Sequence, residues 1–441
     1  MPKLFARWCL PLLLLLSFSG YSQDERPPVT TAYFIDNAFI VQQPGTVIDL
    51  GGIIIRDGLI EAVGKGLTPP VDAKIMEGDS LYVYAGFIDG LSHVGVPKPK
   101  EGERPEVKDP GNPPRHVSGI QPERSVAAML KADEKSIADF RKLGFTTAHV
   151  VPYGKMLPGK GAIVQLHGSS AEEMVLRENT SLFAQFEGTG RRVFPSTTMA
   201  IMAEWRELYA QAKQSQDHAN RYQDSPRGMA RPQHNEVLEA FLPVLDGNQP
   251  VFFAVDGIKE VHRAMGLAEE LGFSLALADL GRAQLYLDRI KDRKTPLFLQ
   301  LELPEAKDKK DDKDADTATA VLEEKRAEAM KEFEAQAAEL AKAGVPFGFS
   351  SGSVKAKDIR DNIGRMIKAG LSEDQALAAL TTSPAKLLGL SDLMGTVERG
   401  KIANLVVTDK PYFAEKSSVR YVFVDGMPTE YDVKKKKAKK P

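Results

Sequence analysis

Seven histidines and a single cysteine bound the chemistry open to this 441-residue chain. Cys9 stands in the first dozen residues, so neither an intramolecular disulfide nor a thiolate metal site can be built. A metal would have to be held by imidazole and carboxylate, and five such residues stand near the ends of strand-like runs: Asp89, His93, His149, Asp256 and Asp279. In parallel α/β proteins the reactive side chains follow the strands. The set is therefore a candidate for one divalent cation, zinc among the choices, held by His93 with Asp89, His149 and Asp256. It is equally a candidate for acid–base work by His93 with Asp279. The competing structural roles are a hydrogen-bonded strand-end imidazole for His149 and helix-capping carboxylates for Asp256 and Asp279. His167 follows the run GKGAIVQL, whose Gly159-Lys160-Gly161 lacks the spacing of a phosphate loop. His116, His218, His234 and His262 fall in polar loops or on a helix and carry no assigned role.

The elements that must position these residues can be read from periodicity. From Tyr33 to Ala85 short apolar runs alternate with turns, Asp57-Gly58 marking a hairpin, and the texture returns after Gly395 in GTVERGKIANLVVTD and VRYVFVDGM. Between these ends, strands alternate with amphipathic helices, the signature of a parallel α/β domain. The helix SIADFRKLG precedes the strand FTTAHVV, and Pro250 opens the strand VFFAV. The next helix places Ile258, Val261, Met265, Ala268 and Leu271 on one face before Gly272. Strands SLALA, PLFLQL and PFGFS follow in turn. Ser372 with Gln375 predicts a capping box, and Ser383-Pro384 predicts a cap followed by proline at the first helical position. The stripe Met330, Phe333, Ala337 and Leu340 is expected to pack inward.

Hydrophobic residues at 42% and charged residues at 27% exclude wholesale disorder and a polytopic membrane protein. The opening segment has a short cationic start, an apolar run from Leu10 to Phe18 and small residues at Gly20 and Ser22. It predicts a cleavable export signal over residues 1–22, hence a periplasmic or envelope location with no membrane span remaining. Lys and Arg number 58 against 60 Asp and Glu, a balance that argues against nucleic acid as a partner. Six of the lysines lie in the tail Lys434 to Lys440, which is a solvated end or a contact with an acidic partner surface.

The strings EAVG, YAGFIDGLSH, GFTTAHV, GLSEDQALAALTTSPAKLLGL, GTVERGKIANLVV and VFVDG follow one another along the chain. Together they resemble the amidohydrolase superfamily, in its imidazolonepropionase-like and prolidase-like branch. The resemblance implies an α/β fold, a (β/α)₈ TIM-like barrel over residues 86–394, with a charged insertion near 304–320. It also implies a composite β-sandwich built from residues 23–85 and 395–432, ahead of a basic tail at 433–441. Members hydrolyse carbon–nitrogen bonds of small molecules with a metal-bound hydroxide, which demands three or more His or carboxylate ligands. Aligned on those motifs, the ligand positions fall on Leu91, Ala254, Ala278 or its neighbour Asp279, and Gly352, of which Leu91, Ala254 and Gly352 offer no side-chain donor. His93 alone survives of the first-strand pair, as a vestigial ligand, and Asp279 stands beside Ala278. The resemblance thus leaves two expectations. One is an exported hydrolase of cyclic amides or dipeptide-like metabolites. The other is a catalytically inactive member that binds a small molecule, pairs with itself, or supports an active paralogue.

Overall fold

The computed structural model describes residues 32–99, 107–190, 192–304, 317–352 and 354–431. The export signal, Cys9, the tail 433–441 and residues 305–316 of the charged insertion lie outside the described residues. Among the described residues no helix is long and apolar enough to cross a membrane.

Apolar alternation at the two ends of the chain resolves into one eight-stranded sheet. Its strands are β1 (Ala32–Gln43), β2 (Thr46–Arg56), β3 (Leu59–Gly64), β4 (Ala73–Glu77) and β5 (Tyr82–Ala85), with β14 (Leu405–Thr408), β15 (Val419–Val424) and β16 (Met427–Glu430). The hairpin expected at Asp57-Gly58 is present, both residues having the positive φ that a tight right-twisted turn requires. Antiparallel pairing of β5 with β14 joins the N- and C-terminal parts, so the β domain is composite. One hydrogen-bonded ladder runs through it, because β1 is long enough to pair β4 along its first half and β5 along its second. Ile35, Ile40, Ile53, Val83, Leu405 and Phe423 fill its core. Tyr84 and Val406 on the opposite face pack into the α/β body.

The body is built on β6 (Phe87–Ser92), β7 (Phe145–Val150), β8 (Gly159–Gln165), β9 (Val175–Gln185), β10 (Val251–Ala254), β11 (Leu275–Leu280), β12 (Leu297–Gln300) and β13 (Gly348–Ser350), hydrogen-bonded in chain order. Seven run in one direction. β8 is antiparallel to both β7 and β9, which breaks the regular eightfold βα repeat that the resemblance implies. The reason is local: β7 and β8 are joined by a non-helical loop, which can only return the chain antiparallel. The sheet curls until its ends meet, where the Gly352 N–H donates to the Leu91 carbonyl at 3.1 Å, although no ladder runs between β13 and β6.

The helix Ile258–Leu271 ends where the sequence places it, at Gly272 in the left-handed region. The capping box Ser372–Gln375 closes in both directions. Phe333, Ala337 and Leu340 pack on the main core as expected. Ser383-Pro384 does not open a helix: Thr381 holds the cap position, and Pro384 lies inside the first turn, where its missing N–H costs nothing.

Candidate functional site

Apolar side chains fill the face of the curled sheet where metal ligands were to be sought. Leu91, Phe183, Phe252, Ala278 and Phe298 form one buried cluster, and Ala254 packs against it. The Phe252 and Phe298 rings stack with centroids 5.7 Å apart. Phe298 lies so close to Gly90 that a Cβ there would overlap its ring, and a Cβ on Gly348 would come within 2.8 Å. Two glycines on neighbouring strands thus make room for a phenyl group, and burying it stabilises the fold by about 2–3 kcal/mol.

Beside this cluster runs a polar seam. Asp89 is fully buried in β6, and its Oδ1 accepts the N–H groups of Ser351 (3.0 Å) and Leu91 (3.3 Å). Its Oδ2 is buried with no partner. Burial pushes the carboxyl up to about 7, against smaller opposing hydrogen bonds from Ser351, Leu91 and Ser92. The Ser351 hydroxyl also bonds that of Ser92 at 2.9 Å, so the seam links β6 to the residue that follows β13.

Asp279 enters the seam through an irregularity. Leu277 and Leu280 of β11 pair with Leu297 and Leu299 of β12, so two residues on one strand oppose one on the other. Asp279 sits in this bulge at φ 53°. Both residues considered for the end of β11 are thereby used: Ala278 packs inward with the apolar cluster, and Asp279 turns to accept the Ser350 hydroxyl at 3.3 Å. A Cβ on Gly352 would lie 2.7 Å from the Asp279 carboxyl carbon, so this carboxyl occupies the room a side chain after β13 would need. Burial, helped by the charges of Glu302 and Asp256, raises Asp279 to about 6.

The two strand-end histidines differ in what they leave free. His149 is fully buried: its Nδ1–H donates to the Gly90 carbonyl (3.1 Å), and its Nε2 accepts the Ser181 hydroxyl (2.9 Å). Both nitrogens are committed, as the structural role for His149 predicts. Gly161 is needed for this pair, because a Cβ would stand 2.6 Å from His149 Nε2 and from Ser181 Oγ. His93 donates from Nδ1 to the Val151 carbonyl (2.8 Å) and stacks on Tyr153 with centroids 4.0 Å apart, and among the described residues its Nε2 has no hydrogen-bond partner. Burial lowers both imidazoles to about 4, so both are neutral at physiological pH.

Residues 304–429 match the model of the amidohydrolase family. Over that segment the chain is similar to the amidohydrolase family. An amidohydrolase from Thermotoga maritima has a similar structure, with a TM-score of 0.74 at 22% identity over 90% of this chain and 99% of that one. A prolidase complexed with N-methylphosphonate-L-proline matches with a TM-score of 0.55 at 17% identity, over 91% of this chain and 100% of that one. A Xaa-Pro dipeptidase with bound methionine in its active site matches with a TM-score of 0.54 at 16% identity, over 91% and 100%. At these identities the likeness concerns the fold.

Most of the positions that the resemblance assigns to metal ligands offer no side-chain donor here. Leu91, Ala254 and Ala278 line the apolar cluster, and Gly352 has no side chain. His149 has no free nitrogen. Asp256 is exposed, and its own N–H is taken by Glu260 Oε2 at 2.8 Å. Among the described residues no three His, Cys, Asp or Glu side chains converge as a metal site requires, so the set Asp89, His93, His149 and Asp256 does not assemble. Nor do Asp256 and Asp279 cap helices: the helix after Asp256 is capped by Gly257 without a side-chain bond, and Asp279 lies in the β11 bulge. His167 lies against Arg141 at 3.1 Å, at the far end of β8 from Gly159-Lys160-Gly161. Sequence reasoning missed Ser92, Ser181, Ser350 and Ser351. The pair Ser350-Ser351 stands directly after a strand-like run and carried a signal, whereas Ser181 meets His149 only through the β8 reversal.

Proposed function

We propose that this chain binds a small amide- or dipeptide-like molecule at the strand ends and does not turn it over through a metal-bound hydroxide. One observation carries the reading: three positions that the resemblance assigns to metal ligands, Leu91, Ala254 and Ala278, are built into a packed apolar cluster. The class of ligand is supported by neighbours of the same fold that bind a proline phosphonate and methionine. His93 Nε2 and the Asp279 carboxyl are the groups of this chain offered to such a ligand. As part of the same reading the protein is exported, and its partner is a second copy or an active paralogue. N-terminal sequencing of the secreted protein and native co-purification test those two points.

The deciding experiment measures metal content by plasma mass spectrometry on protein purified without chelator from zinc-, manganese- and iron-supplemented medium, alongside calorimetric titration with methionyl-proline. Metal near zero with saturable dipeptide binding is the expected result. One equivalent of metal, lost in His93→Ala, would overturn it. A second reading, hydrolysis by the chain's own acid–base groups, is favoured by the Asp279 carboxyl, which keeps its proton up to about pH 6. On that reading methionyl-proline is cleaved without metal, and both His93→Ala and Asp279→Asn lose the turnover.

A further inference from the structure

At the opposite end of the same strands, where β10, β11 and β12 begin, a cavity of about 540 Å³ opens between the helix Ile258–Leu271 and the helix Leu287–Arg293. Its size falls in the range of small-molecule sites, roughly 300–1,000 Å³. Its floor is Phe252 and Ala276, both nearly inaccessible to solvent, and its walls include Phe273 and Leu387. Its rim carries Arg293, Lys294 and Thr295.

The charge at this rim is unbalanced. Glu269 is engaged by Arg293 and by Arg289, while Lys294 makes no ion pair among the described residues. Lys294 follows the last turn of its helix in the left-handed conformation, so its backbone is fixed at the cavity edge. The C-terminal end of a helix presents roughly half a negative charge, which the full charge of Lys294 outweighs once Arg293 is paired with Glu269. An apolar floor with a cationic rim selects one chemistry: an anion on a short hydrocarbon or aromatic body.

We infer that this cavity is a second ligand site, taking a small apolar carboxylate with its hydrocarbon on Phe252 and Ala276 and its charge at Lys294 and Thr295. The site is distinct from the strand-end face, and Phe252 and Ala276 belong both to its floor and to the apolar cluster. The Phe252 ring stacks on Phe298 and lies 4.3 Å from the His149 ring. Occupancy therefore bears directly on the apolar cluster that fills the former ligand positions.

Phenylacetate and its neutral counterpart phenylacetamide are the probes, titrated by calorimetry and by fluorescence of Trp205, whose ring is 5.6 Å from that of Phe273. Saturable phenylacetate binding is expected, with the amide weaker by about tenfold and Lys294→Ala weakening phenylacetate by about tenfold. Ala268→Phe projects a ring into the space and should abolish binding while circular dichroism shows the fold intact. No saturable binding of phenylacetate, equal binding of the amide, or unchanged binding by a folded Ala268→Phe protein would each overturn the inference. None of these results depends on whether the strand-end face binds dipeptides.

Discussion

Two neighbouring parts of the strand-end face have opposite characters. Around Leu91, Ala278, Phe252 and Phe298 the sheet encloses hydrocarbon with no polar group to satisfy. Along Asp89, Ser92, Ser350, Ser351 and Asp279 it encloses one carboxyl and three hydroxyls and half-buries a second carboxyl, with Asp89 Oδ2 left unpartnered among the described residues. The first part is stabilised by being buried, whereas the second is tolerated because Asp89 accepts two main-chain N–H groups and Asp279 accepts the Ser350 hydroxyl. The difference teaches that one face of this fold can be completed in two ways. Apolar packing fills one side, and on the other the Asp89 carboxyl ties the first strand to the residue after the last while Asp279 ties β11 to β13.

The apolar half should therefore be the costlier to disturb. Phe298→Ala removes a fully buried ring that touches β6, β10 and β13, and should destabilise the protein by about 3–5 kcal/mol in denaturant unfolding. A loss below about 1 kcal/mol would show that the cluster is loosely packed and would erase the contrast.

The polar half should reveal itself through pH. Asp89 titrates near 7 in the fold against an ordinary value of 3.8. A carboxyl raised in the native state contributes its stability fully below pH 3.8 and loses it as pH climbs through about 7. The amount is of order 4 kcal/mol. Asp279 acts in the same direction up to about pH 6. His93 and His149, lowered from 6.5 to about 4, act oppositely, their contribution being complete above 6.5 and lost as pH falls toward 4. The wild-type profile thus mixes opposing trends, and Asp89→Asn separates them. Asparagine keeps an acceptor for the Ser351 and Leu91 N–H groups and cannot ionise, so the variant should match the wild type at pH 4 and exceed it increasingly toward pH 8. Parallel profiles from pH 4 to 8 would mean that Asp89 is ionised at little cost and that the seam is wetter than its burial implies.

The apolar half was more legible in sequence than the polar half. Leu91, Ala254, Ala278 and Gly352 can be seen to lack donors without any structure, and the hairpin at Asp57-Gly58 and the helix stop at Gly272 follow from local backbone chemistry. The direction of β8 was not legible, because GKGAIVQ reads as a strand whichever way it runs. Nor was the bulge that separates Ala278 from Asp279, since it exists only in the hydrogen-bond register with β12. The partners of His149 lie on β6 and β9, far from it in sequence, so its commitment to two hydrogen bonds is a property of the assembled sheet.

The smallest effect tests where the two halves meet. Gly352 has φ 45°, so any side chain there costs about 1 kcal/mol in backbone strain. If the Asp279 carboxyl also fills the space, Gly352→Ala should cost about 1 kcal/mol more than that strain, and the excess should vanish in an Asp279→Gly background. The double-mutant cycle would then report a coupling of about 1 kcal/mol. Additivity within about 0.3 kcal/mol would mean that the carboxyl swings clear and the two positions share no space. Coupling would also make Gly352→Asp tolerable only once Asp279 is removed. The fold would then accommodate one carboxyl at this point, delivered from either the end of β11 or the end of β13.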